Sequence, residues 1–583
     1  MNNSIQAAAK KMAALIGAGA LAISPVAATI NMTTVTAFAD KNTDTADTKV
    51  STKIKGLDAG VKVYAYQIIK ANYDSGFTGY DFVNADVATV LGKTDAGADI
   101  TVSNIGDSGV LTKAKVDALA TAILSTNGSL STLTSTTATA GDDGVATLSL
   151  GAGTYVVLVS DESNATHVYN PIVISNAYAS QAITVDGTQY AADTLVPGVL
   201  SYDGTYYSDG TTAKKTNIDI TKQIAQADDQ KGQVTNKDTG DYAHGDDLQV
   251  GDTGHFTITT QIPLYSDAYK AKTLHFDVVD NQEDGKFSAA SNIVVKVGDA
   301  NAIAGTDYTL NATGTVTDGK FTGDATDAAT KGIDFQVVFT DTFIKANIGK
   351  PVVITYDSVL QAGADQKLEA NEDTATVTYT NDVFEHQTSD SDTVYEYSFP
   401  ITVLKTDQDG AAITGDKNDT SKQATFSITR VTLADKTFTE VTAETGDKVA
   451  YKPASATTDE TTGKVTFNNL DEGYYKIVET KAPSGYALNT NPKYIKVEPL
   501  TYDSDGKLTT YKITEVDSTG TAITTDTAVS HDSTSDVYTL TVKDSPVSAL
   551  PSTGARSALI LTIAGSAVMV TVMAASRKKK MAE

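Results

Sequence analysis

No cysteine occurs in the chain, so disulfides cannot hold it together and any covalent staple must use other chemistry. Tryptophan is also absent, and 12 prolines are too few and too scattered for a stiff proline-rich stalk. The six histidines show no zinc-like spacing, and there is no nucleophile elbow and no phosphate loop. Asp407-Gln-Asp409-Gly410 and Asp503-Ser-Asp505-Gly506 begin like calcium loops but lack the distal ligands, and read as β-turns. The chain is therefore not expected to be an enzyme, nor to carry a metal or other cofactor. Basic residues are in deficit: 45 Lys and Arg against 72 Asp and Glu leave a formal charge of −27. That excess argues against nucleic acid and anionic membrane surfaces as partners.

Apolar runs mark both ends. Lys10 and Lys11 precede the apolar stretch from Met12 to Ile23, and Ala37-Phe38-Ala39 is a small-x-small cleavage site before Asp40. Residues 1–39 thus read as a signal peptide. At the far end, Leu550-Pro551-Ser552-Thr553-Gly554 is followed by an uncharged run, 557–576, and then by Arg577-Lys578-Lys579-Lys580 in the tail 577–583. At about 1.5 Å per residue that run spans roughly 30 Å, the thickness of a bilayer core. The basic cluster behind it stays on the cytoplasmic side. Pentapeptide, span and basic tail in that order resemble the LPXTG sorting signal of Gram-positive surface proteins. The resemblance implies that a sortase cuts between Thr553 and Gly554 and joins the Thr553 carbonyl to an amine, leaving the chain in the cell wall or in a surface pilus.

Between these ends the chain is rich in Thr, Val, Tyr, Asp and Gly, the residues of alternating strands and tight turns, so the fold class expected is all-β. A first domain is placed at 40–200, with a short helix from Asp117 to Leu124 and a two-strand hairpin over 144–159. The turn-rich 201–213 reads as a linker. A second domain is placed at 214–390 and a third at 395–547. Strand parity in these two aims ionisable groups at the core. Lys222 shares a face with Ile218, Ile220 and Ile224; Asp280 shares one with Leu274, Phe276 and Val278; Asn381 follows Ala375, Val377 and Tyr379. In the third domain Lys405 lies with Ile401 and Val403, Glu479 with Tyr475 and Ile477, and Asp544 with Tyr538, Leu540 and Val542.

An amine, an acid and a carboxyl or amide buried together can condense. Burial lowers the pKa of the lysine and raises that of the acid, giving a neutral nucleophile and a proton donor that polarises the acceptor carbonyl. The product is a side-chain amide, Lys405 to Asp544 with loss of water and Lys222 to Asn381 with loss of ammonia, with Glu479 and Asp280 as the respective catalysts. A buried salt bridge is the alternative reading of the same parity. Gly473-Tyr-Tyr475-Lys-Ile-Val-Glu479-Thr-Lys-Ala-Pro483-Ser-Gly485-Tyr486 resembles the E-box of sortase-assembled pilins and Cna B-type domains, and Lys405-Thr-Asp-Gln-Asp-Gly410 their opening strand. Val279-Asp280-Asn-Gln-Glu-Asp-Gly285 and Tyr379-Thr-Asn381 are similar to Cna A-type motifs. The family implies an elongated row of tandem immunoglobulin-like β-sandwiches, with the lysine of the opening strand bonded and the E-box acid as catalyst. The first domain has Val159 where the E-box acid would stand. In shaft pilins a lysine near the end of the first domain accepts the next subunit's threonine; here Lys214 stands at the matching place, with Lys215 as the alternative. The partners so implied are a sortase, neighbouring pilin subunits and peptidoglycan. An accessory pilin or wall-anchored adhesin with a host ligand is the competing reading.

Overall fold

The computed structural model describes residues 42–547 apart from 106–109, 163–165, 180, 186, 199–211, 226–243, 313–333 and 442–449. The signal peptide, the sorting pentapeptide 550–554, the apolar span and the basic tail lie outside the described residues. Among the described residues no helix is long and apolar enough to cross a membrane.

Alternation decides most elements. Pro351–Val359 alternates half-buried with buried side chains along its whole length, as a strand covered on one face must. Two such sheets face each other in the second unit. One runs in the order Thr221–Ala225, Thr253–Gln261, Pro351–Val359, Ser291–Val297, Ala300–Asn301. The other runs Gly245–Asp247, Gln387–Tyr397, Asn371–Thr380, Phe276–Gln282, Phe335–Phe339, Tyr308–Ala312. The third unit pairs its opening strand, Phe399–Asp407, with Lys464–Leu470 on one side and, in parallel, with the closing strand Val537–Asp544 on the other. Its second sheet centres on Gly473–Lys481, between Thr425–Ala434 and Lys493–Tyr502.

In the first unit the expected helix begins earlier than the sequence suggests, spanning Lys113–Leu124 with Leu119, Ala120 and Ile123 buried. A second helix, Ala85–Leu91, was not expected; Asn84 caps it by accepting from the Val87 amide at 3.2 Å. The expected hairpin over 144–159 does not form. Ala146–Leu150 pairs with Val50–Ile54, whereas Gly153–Ser160 pairs with Lys62–Tyr73 and Ile172–Tyr178 in another sheet. The chain changes sheets at Gly153, where φ is +143° and an added Cβ would lie 2.1 Å from the Ile69 carbonyl oxygen. The third unit repeats this corner between Lys464–Leu470 and Gly473–Lys481, and in both a tyrosine hydroxyl donates to a carbonyl four residues back: Tyr155 to Gly151 and Tyr475 to Asp471, each at 3.1 Å.

The joints fall later than composition suggests. Lys214–Asn217, which the sequence reading assigns to the second domain, pairs antiparallel with His167–Asn170 of the first. Gln387–Tyr397 pairs throughout with Asn371–Thr380, so the second unit runs to 397 and the third opens at Phe399. One apolar cluster continues from the helices of the first unit into the second, and the third unit has its own. Between the second and third, buried Arg430 donates to Asp252 at 2.9 Å and also to Asp471.

Candidate functional site

Lys405 and Asp544 lie on the parallel opening and closing strands. Asp407 is the register partner of Asp544 and Val542 that of Lys405, so the lysine and the aspartate are diagonal neighbours on one face. The Lys405 Nζ touches Asp544 Oδ1, and Glu479 reaches in from the facing sheet to place Oε1 3.3 Å from the same nitrogen. All three side chains are fully shielded from water. The segment after the E-box strand fixes this geometry. The Asn489 amide donates to Glu479 Oε2 at 2.9 Å, and its side chain donates to the Lys543 carbonyl beside Asp544 at 3.3 Å. Burial pushes the Glu479 carboxyl above its ordinary value, despite the Asn489 amide and the Lys405 ammonium acting the other way. That acid is therefore suited to carry a proton next to an amine and a carboxyl.

In the second unit Lys222 crosses from one sheet to the other. Its Nζ touches Asp280 Oδ1 and Asp373 Oδ1, and none of the three side chains is exposed. The amine sits 5.7 Å from the Phe256 ring centre and 5.3 Å from that of Tyr356, two rings stacked 4.9 Å apart. Burial alone would lower the Lys222 ammonium, but the Asp280 and Asp373 carboxyls hold it above its ordinary value. Burial, and then the charge of Asp373, push Asp280 well up. Two acids facing one lysine leave a proton for the pair to share.

Asn381 does not join this group. It lies just past the end of the Asn371–Thr380 strand, where its side chain donates to the Asp161 carbonyl of the first unit at 3.0 Å and its own carbonyl accepts from the Tyr169 amide. Asp373 stands on the same face, eight residues earlier, a distance of roughly 27 Å along a strand. Parity fixes which face a residue occupies but not how far along it lies. Extending the alternation of Ala375, Val377 and Tyr379 back by one step would have found Asp373. The same one-step extension from Phe276, Val278 and Asp280 would have found Gln282, and from Val352 and Ile354 Tyr356.

Among its described residues the first unit has no such site. No lysine is buried among its described residues, and Val159 is packed into its apolar core. Of the paired lysines on its last strand, Lys214 is exposed, whereas Lys215 donates to Asp58 at 2.8 Å. Asp58 also binds His167 at 2.7 Å and accepts from the Tyr169 hydroxyl. Despite partial burial, those contacts hold the Asp58 carboxyl below its ordinary value, so this pair stays an ion pair.

Residues 399–515 match the SpaA prealbumin-like fold domain. Among solved structures the chain is similar to the T6 backbone pilin of serotype M6 Streptococcus pyogenes, at 18% identity over 86% of this chain and 99% of that chain with a TM-score of 0.49. It is also similar to the full-length major pilin SpaD of Corynebacterium diphtheriae, at 17% identity over 86% and 99% with a TM-score of 0.43. For the major pilin SpaA of the same organism the values are 15%, 85%, 99% and 0.41. No curated protein matches the chain. All three structural scores fall below one half, and the chemistry of the two buried lysines is the stronger guide.

Proposed function

We propose that the chain is the repeating shaft subunit of a covalently polymerised pilus anchored in a Gram-positive cell wall, with internal amide bonds in its second and third sandwiches. The observation that carries this reading is the pair of water-free lysines, each against two carboxyls, in a chain without cysteine. A buried ion pair of this kind is weak as a source of stability, because the desolvation penalty consumes much of the attraction. Condensed to an amide, the same groups lose their charge and join strands covalently. Lys405 bonds to Asp544 with Glu479 as the acid. Lys222 bonds to one of its two aspartates, so water leaves from both sites; the ammonia that Asn381 would have released is not expected.

The match of residues 399–515 to a SpaA-type domain supports the same reading. The sorting pentapeptide supplies the Thr553 carbonyl for a sortase, and the Lys214 amine of a neighbouring subunit accepts it. Lys214 suits that role because its side chain is exposed, while that of Lys215 is held by Asp58. The subunit at the base is joined through the same threonine to peptidoglycan.

Immunoblotting of cell-wall extracts tests the proposal. A ladder of high-mass species that survives boiling in detergent is expected. A single band would instead mean an accessory pilin or adhesin that binds a host ligand as a monomer. The intact mass should fall short of the calculated value by two waters, and a folded chain of unmodified mass would remove the internal bonds from the reading.

A further inference from the structure

Lys222 contacts two aspartates alike, and the groups behind them are not alike. The outer oxygen of Asp373, Oδ2, accepts from the Tyr356 hydroxyl at 2.5 Å and from the Gln282 side-chain amide at 3.3 Å. Gln282 is itself held in place: its Oε1 accepts from Ser358 Oγ at 3.0 Å and its backbone amide donates to Asp334 at 2.5 Å. The outer oxygen of Asp280 has no hydrogen-bond partner. Tyr356 lies near Asp280 too, but a hydroxyl has one proton to give, and Asp373 receives it.

Resting on the amide-bond reading above, we propose that Asp373 is the acceptor of the second-unit bond, that Tyr356 and Gln282 form the oxyanion hole for its carbonyl, and that Asp280 moves the protons. The Lys222 ammonium first gives a proton to the aspartate pair. Its free amine attacks Cγ of Asp373, and negative charge collects on Oδ2, where two donors already point. Asp280 delivers the proton that the pair shared to Oδ1 and takes one from the nitrogen in its place. The C–N bond forms, the Cγ–Oδ1 bond breaks, and Oδ1 departs as water carrying the lysine's first proton and the shared one, which the lysine's second proton replaces on Asp280. Oδ2 remains as the amide oxygen, and Asp280 ends in the state in which it began. Tyr356 and Gln282 come from opposite sheets, so the hole is complete only once the sandwich has closed.

Peptide mapping of the full chain separates the possibilities. The digest should contain the Lys222 peptide joined to the peptide bearing Asp373. Asp373→Asn should form the same amide by losing ammonia, and so reach the mass of the bonded wild-type chain. Tyr356→Phe keeps the ring stacked on Phe256, and so leaves the core filled, while removing the donor. Bond formation in that variant, followed by intact mass after cell-free synthesis, should slow by about 10²-fold. A bond mapped to Asp280, or Tyr356→Phe reacting at the wild-type rate, would overturn the assignment and leave the amide-bond reading standing. Absence of any Lys222 crosslink in folded wild-type chain would end both.

Discussion

Lys222 and Lys405 are the buried lysines among the described residues, and the carboxyls around them outnumber them. Removing a single acid should therefore have separable effects. Glu479→Ala should leave Lys405 and Asp544 folded together but unjoined, one water heavier than the mass calculated for the same variant with the bond formed. Without the crosslink the unfolded chain regains freedom worth about 2–5 kcal/mol, which amide exchange in the third unit would register as lost protection. Glu396 presents a different case. It is fully buried, neither side-chain oxygen has a hydrogen-bond partner, and burial, reinforced by the charges of Asp246 and Asp373, pushes its carboxyl well above the ordinary 4.5. The folded chain then binds this proton more tightly than the unfolded one, so the stability it confers is present at low pH and declines as pH rises from about 4.5 through the raised value. Glu396→Gln should raise the melting temperature at pH 8 more than at pH 5. Equal shifts at the two pH values would count against a protonated Glu396.

At the scale of elements, the unit without a buried lysine should yield first. Limited proteolysis is expected to cut within 42–217 before it cuts the other two sandwiches, and a first unit that outlasts them would contradict this. The sequence was most legible where one strand speaks for itself. Lys222, Asp280, Lys405, Glu479 and Asp544 each sit among apolar residues of the same parity, and all five side chains are buried. It was least legible where two strands must be aligned. Asn381, expected beside Lys222, lies past the end of Asn371–Thr380 and turns to the first unit, because a local alternation contains no information on register between strands. The hairpin over 144–159 failed for a related reason: a short glycine-containing turn can return a strand beside its neighbour or hand it to the opposite sheet. Only the packing of Gly153 against Ile69 shows which.

Across the whole molecule, two kinds of joint hold the row of sandwiches. The inner one turns on Arg430, whose loss would leave Asp252 and Asp471 facing each other in a dry contact. Arg430→Ala should destabilise the joint by roughly 3–5 kcal/mol, read as lost exchange protection on both sides, and protection unchanged within error would contradict it. The outer joint is the proposed linkage between subunits. Lys214→Ala should abolish the detergent-resistant ladder while monomer still reaches the wall, and Lys215→Ala should keep it; a normal ladder from Lys214→Ala would move the linkage elsewhere. The parallel pairing of Phe399–Asp407 with Val537–Asp544 bears on how such a polymer meets a pull. Because the two strands point the same way, the chain enters the third sandwich at one end and leaves at the other. With Lys405 bonded to Asp544, tension arriving at Phe399 crosses to the exit after six residues, about 20 Å of already extended backbone. Residues 406–543 hang beside that path and bear none of it. Such a sandwich has almost no hidden length to pay out, so in the proposed pilus a sudden load would pass through it undiminished rather than being stretched away.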